Sequence, residues 1–180
     1  RFFGRRRVRL IATGAPTELA RSILAFVAHE DLPVIGTLLG PKYGAIFKQI
    51  LEYIHSTISE IRRAPKPFIA AVEGVASAAG CQLVATCDLA VCGADARFAT
   101  PGVNIGLFCS TPMVALSRNV SSKHAMEMLL TGDVIDAATA ARIGLINKVV
   151  SPNELGASVN ELANKIASKS MVTIKTGKQA

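Results

Sequence analysis

Lys66-Pro-Phe-Ile-Ala-Ala-Val-Glu-Gly74 runs directly into Val75-Ala-Ser-Ala-Ala-Gly80 and then into Cys81-Gln-Leu-Val-Ala-Thr-Cys87. Pro65 and Pro67 must end any helix that reaches them, because proline removes a backbone donor and clashes with the preceding turn. Phe68 to Val72 is an unbroken apolar run of strand length with no polar alternation, the pattern of a strand covered on both faces. The small residues from Val75 to Gly80 lead into a segment whose apolar side carries Leu83, Val84 and Cys87. The order predicted is strand, tight turn, helix. Leu89 to Cys92 and Arg97 to Thr100 are again strand-like, so strands and helices alternate without a linker, which implies one α/β domain.

Working outward, Tyr43 to Arg63 places Ile46, Phe47, Ile50, Leu51, Ile54, Ile58 and Ile61 on one face at helical spacing. Val8 to Thr13 reads as a weak strand, and Thr17 could cap a helix to Val27 that His29, Glu30 and Asp31 interrupt before Pro33. Downstream, helices are predicted over Met113 to Arg118, over Lys123 to Leu130 with Ser122 as cap and Gly132 as stop, and in a short piece capped by Asp136 and ended by Gly144. Ile146 to Val150 reads as a strand, and Ser151 to Glu154 opens a last helix to about Ser168. No internal repeat is visible. The domain reading is a basic segment with a first strand over residues 1–14 and a single core over 15–180, the chain being expected to be a fragment or processed product.

Half of the 180 residues are hydrophobic and 18% are charged, ample for a packed core and unlike a disordered chain. The formal charge is +7, yet Arg1, Arg5, Arg6, Arg7 and Arg9 lie in the first nine positions, so most of the excess belongs to a terminal cluster. With 5% aromatic residues and no Trp, a nucleic-acid surface is poorly supported, and no nucleic acid is expected as partner. The charge-free run Phe98 to Ser117 is long enough to span a bilayer, but Pro101, Gly102, Gly106 and Pro112 break it, and no membrane association is expected. Cys81, Cys87, Cys92 and Cys109 form no C-x-x-C pair, which suits buried reduced thiols in an intracellular protein, cytoplasmic or mitochondrial. No metal site is expected.

Lys66 to Gly74, Ala78-Ala-Gly-Cys-Gln-Leu83, Cys87-Asp-Leu-Ala90, Phe98-Ala-Thr-Pro101, and the downstream stretches Ala125-Met-Glu-Met-Leu-Leu-Thr-Gly-Asp133 and Ala141 to Val150 together resemble the crotonase superfamily, the enoyl-CoA hydratase/isomerase group. The similarity covers roughly Tyr43 to the end and is nearest to the enoyl-CoA hydratase domain-containing proteins. It implies a crotonase-like spiral of ββα units, incomplete at both ends, that binds an acyl-CoA thioester without a metal or other cofactor. It also implies assembly as a homotrimer or a dimer of trimers.

What the resemblance implies for the site is an oxyanion hole of two backbone N–H groups, one from Ala79 at the start of a helix and one from Glu30. A first-turn N–H has no intrahelical partner and lies at the positive end of the helix dipole, so it is a preorganised donor to a developing enolate. Gly80 lets the backbone approach the ligand, and Ala28, Glu30, Asp31 and Leu32 would line the thioester by the match of Ala25-Phe-Val-Ala-His-Glu-Asp-Leu32 to the family's first loop. His29 departs from the glycine usual there. Ordinary hydratases use two glutamates, and the matching positions here hold Gln82 and Gly102, neither of which can transfer a proton. Hydratase activity is therefore doubtful, and Gln82→Glu with Gly102→Glu is expected to raise it. The alternatives are a non-hydratase thioester isomerase or hydrolase and a catalytically silent, crotonase-fold partner or regulator. RNA binding through the arginine cluster would be a third class. Cys109 could act as a nucleophile only with a stabilising partner that the sequence does not show. Asp88 reads as structural, and His55 as solvent-facing.

Overall fold

The computed structural model describes Val8–Ala12 and residues 44–180. In chain order its elements are β1 (Val8–Ala12), α1 (Gly44–Arg63), β2 (Phe68–Val72), β3 (Val75–Ser77), α2 (Ala79–Thr86), β4 (Leu89–Gly93), β5 (Arg97–Ala99), a 3-10 turn at Pro101–Ile105 and α3 (Ser110–Leu116). There follow α4 (Ser122–Thr131), β6 (Ile135–Asp136), α5 (Ala137–Arg142), β7 (Lys148–Val150), a second 3-10 turn at Pro152–Glu154, α6 (Leu155–Ala167) and α7 (Met171–Gln179).

The strands form two sheets with orders β1-β2-β4-β7 and β3-β5-β6. Successive ββ units give one strand to each: β2 lies parallel to β4 with Ile69 opposite Leu89, and β3 lies parallel to β5 with Ser77 opposite Ala99. A path that returns to both sheets, one strand further on each time, is a spiral. β1 closes one edge antiparallel to β2, Val8 facing Val72.

Every residue of β2 is buried, as the unbroken apolar run requires. Side chains alternate across a strand, and the two sets enter two cores. Phe68, Ala70 and Val72 pack with Leu83, Val84 and Phe98 in the larger one, while Ile69, Ala71 and Val91 meet Leu155, Val159 and Ala163 of α6 in the smaller.

Four predicted details change. β3 occupies part of what reads as a turn, and α3 starts three residues before Met113 because Cys109 serves as its N-cap. The cap of α4 is Ser121, whose hydroxyl accepts from His124 N–H, where the sequence suggested Ser122. The helix after Ser151 is not the last, since α7 follows it. Asp136 caps α5 as read, and the Thr139 N–H it accepts holds its carboxyl below the usual range. The suggested helix from Thr17 to Val27 lies outside the described residues.

Candidate functional site

β3 ends where Ala78 donates its N–H to Ala99 O at 3.0 Å, anchoring the chain to the end of β5. Ala78 then takes φ 46° and ψ −110°, a positive-φ conformation that side chains disfavour and that turns the chain abruptly into α2. It is the one non-glycine residue with positive φ among the described residues. The first helical bond of α2 is Gln82 N–H to Ala78 O at 3.0 Å. Ala79 is thus the first helical residue, and no carbonyl among the described residues accepts its N–H. Ala79 stands at the helix start as the resemblance implies, and Gly80 itself is buried within the first turn.

Gln82 lies one turn further on. It is 9% exposed, and its Oε1 has no hydrogen-bond partner among the described residues. A cleft of about 260 Å³ runs along α2 from Gln82 past Ala85 and Thr86, walled by Ile58 of α1 and Val114 of α3. Arg62 and Arg118 also line it. Asn119 fixes the spacing of the two helix ends by donating from Nδ2 to Ala85 O at 2.7 Å and Ala115 O at 2.8 Å. A larger cleft of about 340 Å³, lined by His124, Glu127, Asp133 and Arg142, shares no residue with α2.

Gly102 sits in the first 3-10 turn, which Gly106 closes with φ 76°. Its N–H donates to Cys109 Sγ at 3.3 Å, and its carbonyl accepts from Leu107 N–H at 2.9 Å. A Cβ at this position would meet Cys109 Sγ and Leu107 O, each at 2.8 Å. The space a glutamate stem would need is filled by sulfur and backbone. The expectation that Gly102→Glu simply restores a carboxylate is corrected accordingly: such a side chain requires the turn to move.

Cys109 has its partner in this N–H, and it is half-buried, unlike the other three thiols. Burial, reinforced by Cys109 nearby, pushes the Cys81 thiol up to about 12, and burial raises Cys87 and Cys92 as well. None of these three supplies a thiolate near neutral pH. Asp88 is structural as expected, its Oδ2 accepting from Phe68 N–H and from Lys178 Nζ, both at 2.7 Å. His55 is exposed on α1. Ala28, Glu30, Asp31 and Leu32 lie outside the described residues, so Ala79, Gly80 and Gln82 stand together on α2 with Gly102 on the turn that follows β5. Sequence reasoning missed Asn119, Arg62 and Arg118 as cleft residues. The available signal was their position at the ends of two predicted helices, which says that they are near helix termini but not that those termini face one another.

Among the described residues no helix is long and apolar enough to cross a membrane, and no group of three or more His, Cys, Asp or Glu side chains could hold a metal.

Residues 40–180 match the enoyl-CoA hydratase/isomerase family. The chain is 46% identical over 153 residues to the mouse mitochondrial enoyl-CoA hydratase domain-containing protein 3, a match covering 85% of this chain and 50% of that protein. It is 35% identical over 174 residues to the short-chain-enoyl-CoA hydratase of Clostridium acetobutylicum, covering 95% of this chain and 62% of that one. The crystal structure of human enoyl-CoA hydratase domain-containing protein 3 superposes with a TM-score of 0.72 at 48% identity, over 78% of this chain and 56% of that chain. The chain therefore spans about half the length of the domain-containing relatives. With the two-sheet spiral and the α2 turn in place, the family match settles the class: the chain belongs to the enoyl-CoA hydratase/isomerase family, with a crotonase-like α/β fold.

Proposed function

We propose that this protein binds an acyl-CoA thioester and polarises its carbonyl with the Ala79 N–H, without being an efficient hydratase. The observation that carries the reading is the N-terminus of α2: a positive-φ Ala78 presents an Ala79 N–H that no carbonyl among the described residues accepts. Such a donor gains most when negative charge develops on the acyl oxygen, as it does in an enolate. Glu30 is the candidate for the second donor, with Ala28, Asp31, Leu32 and Gly80 beside the thioester. No cofactor is required, since the thioester itself activates the α-carbon.

Hydration needs a group that takes a proton from water and a group that gives one to carbon, each worth about 10²–10⁴-fold. Gln82 and Gly102 provide neither. Crotonyl-CoA is therefore expected to bind, seen by titration calorimetry, while loss of its enoyl absorbance stays near the uncatalysed rate. Rapid hydration would overturn the reading and place the acid and base elsewhere in the chain. An absence of binding would favour the silent, assembly role. The mitochondrial names of the relatives support a mitochondrial location. A homotrimer or dimer of trimers fits the exposed apolar side chains of Ile105, Leu107 and Phe108 on the loop after β5.

A further inference from the structure

Cys109 is an N-cap whose sulfur caps nothing. It precedes α3 without making a side-chain bond to that helix, and its Sγ turns instead to the 3-10 turn after β5, accepting from Gly102 N–H at 3.3 Å. The sulfur lies 2.8 Å from where a Cβ on Gly102 would stand. Where the matching glutamate stem would begin, this chain sets a thiol, half-buried while the other three thiols are buried. The backbone donor fixes the direction of the sulfur, and such a bond strengthens as negative charge gathers on its acceptor.

Three observations put this sulfur beside the start of α2. Ala78 N–H is bonded to the carbonyl of Ala99, the last residue of β5, and the turn that holds Gly102 begins two residues later. Asn119, past the end of α3, donates to Ala85 O near the end of α2, while Gln82 and Thr111, each in the first turn of its helix, line one cleft. The two helices therefore lie side by side and run the same way, which brings Ala79 and Cys109 level at their starts. Lastly, Cys109 adds to the upward push that burial gives the Cys81 thiol, an effect of near neighbours. Gln82 marks the same end as a place for a ligand. It is 9% exposed, and its Oε1 has no partner among the described residues, although interiors ordinarily satisfy such an atom. Side chains on a helix lean toward its N-terminus, so this amide is directed back toward Ala79.

From this we infer that Cys109 is the nucleophile of an acyl transfer, its sulfur attacking the carbonyl carbon of the bound acyl-CoA thioester. The inference rests on the proposed thioester binding and names a reaction for that same site. A bond forms between Sγ and the acyl carbon while the carbonyl π electrons move onto oxygen, where the Ala79 N–H meets the charge. The oxyanion then restores the double bond, the bond from carbon to the CoA sulfur breaks, and its electron pair leaves with that sulfur. The proton lost by Cys109 ends on CoA. The products are acyl-Cys109 and the CoA thiol, one thioester exchanged for another with nothing oxidised or reduced. Neither step calls on a carboxylate at position 82 or 102.

The test incubates the full-length protein with butyryl-CoA at neutral pH, quenches with acid and reads the intact mass and the modified peptide. One butyryl adduct is expected, on Cys109, forming at least about tenfold faster than on the cysteines of the urea-unfolded chain, since one aligned oxyanion donor is worth about 10²–10³-fold. Cys109→Ser, which keeps an acceptor for Gly102 N–H, should form no adduct, with circular dichroism verifying the fold. An adduct that persists in this variant, or one that forms on Cys109 no faster than on unfolded thiols, would overturn the inference. Calorimetry on the unmodified protein uses the ketone analogue of butyryl-CoA, whose carbon linkage cannot be displaced. Binding of the analogue without an adduct from butyryl-CoA would overturn the inference and leave thioester binding intact. If the analogue does not bind and no adduct forms, the proposed function fails and the inference falls with it.

Discussion

Ala78 carries the least comfortable backbone in the described chain. An L-residue at positive φ crowds its Cβ against the backbone, a cost of about 1–2 kcal/mol that glycine does not bear. Ala78→Gly is therefore expected to stabilise the fold by about 1 kcal/mol, the gain being offset in part by the greater freedom glycine has when unfolded. A urea melt that moves to lower denaturant would show that the methyl group makes contacts worth more than the strain. Gly102 is the opposite case. Its missing Cβ would overlap Cys109 Sγ and Leu107 O, so Gly102→Ala should lose about 1–3 kcal/mol, as overpacked sites do. Thermal denaturation measures this directly, and an unchanged midpoint would mean that the turn yields freely. The sequence points to Ala79, Gln82 and Gly102 as candidates because the first two lie inside a contiguous motif and the third directly follows one. It could not disclose what fills the space beside Gly102, since that depends on a 3-10 turn folding Cys109 back over seven residues.

Helices and strands were legible where their patterns are local. α1 and β2 follow from apolar spacing and from the prolines between them, whereas β3 and α7 do not. β3 is three residues long and owes its existence to pairing with β5. α7 is held through Lys178, whose side chain is 8% exposed and whose Nζ donates to Ile61 O and Lys66 O at 2.9 Å as well as to Asp88. The same Nζ lies 5.2 Å from the centroid of the Phe68 ring. No window of sequence shows such a convergence. Lys178→Met should keep the aliphatic packing but remove the charged bonds, at a cost of about 1.5–3 kcal/mol, toward the lower end because Asp88 is partly solvated at 31% exposure. Hydrogen exchange should then report faster exchange in α7 with α2 protected as before, and uniform acceleration across both helices would show that the lysine supports the whole core.

On the scale of the molecule, the spiral leaves apolar side chains uncovered. Ile105 is 57% exposed, Leu107 54% and Phe108 43%, all on the loop between β5 and α3. Adjacent exposed apolar residues of this size mark contact surfaces more often than idle ones. The protein is expected to self-associate through this loop, and Leu107→Asp should shift its sedimentation toward monomer. A monomeric unmodified protein in the micromolar range would reject that assembly.

Lys178 also sets an order of events during synthesis. Its partners Ile61, Lys66 and Asp88 precede it by 117, 112 and 90 residues. A ribosome adding about 5–20 residues each second needs several seconds to cover that interval, during which the Lys178 ammonium is not there for Asp88 to meet. Contacts with so large a separation in sequence close late, because the loop entropy must be overcome before they contribute. β2 and β4 can pair long before, with Asp88 already bound to Phe68 N–H, so a nascent chain can assemble its central strands while the ammonium that seals them is still to be translated.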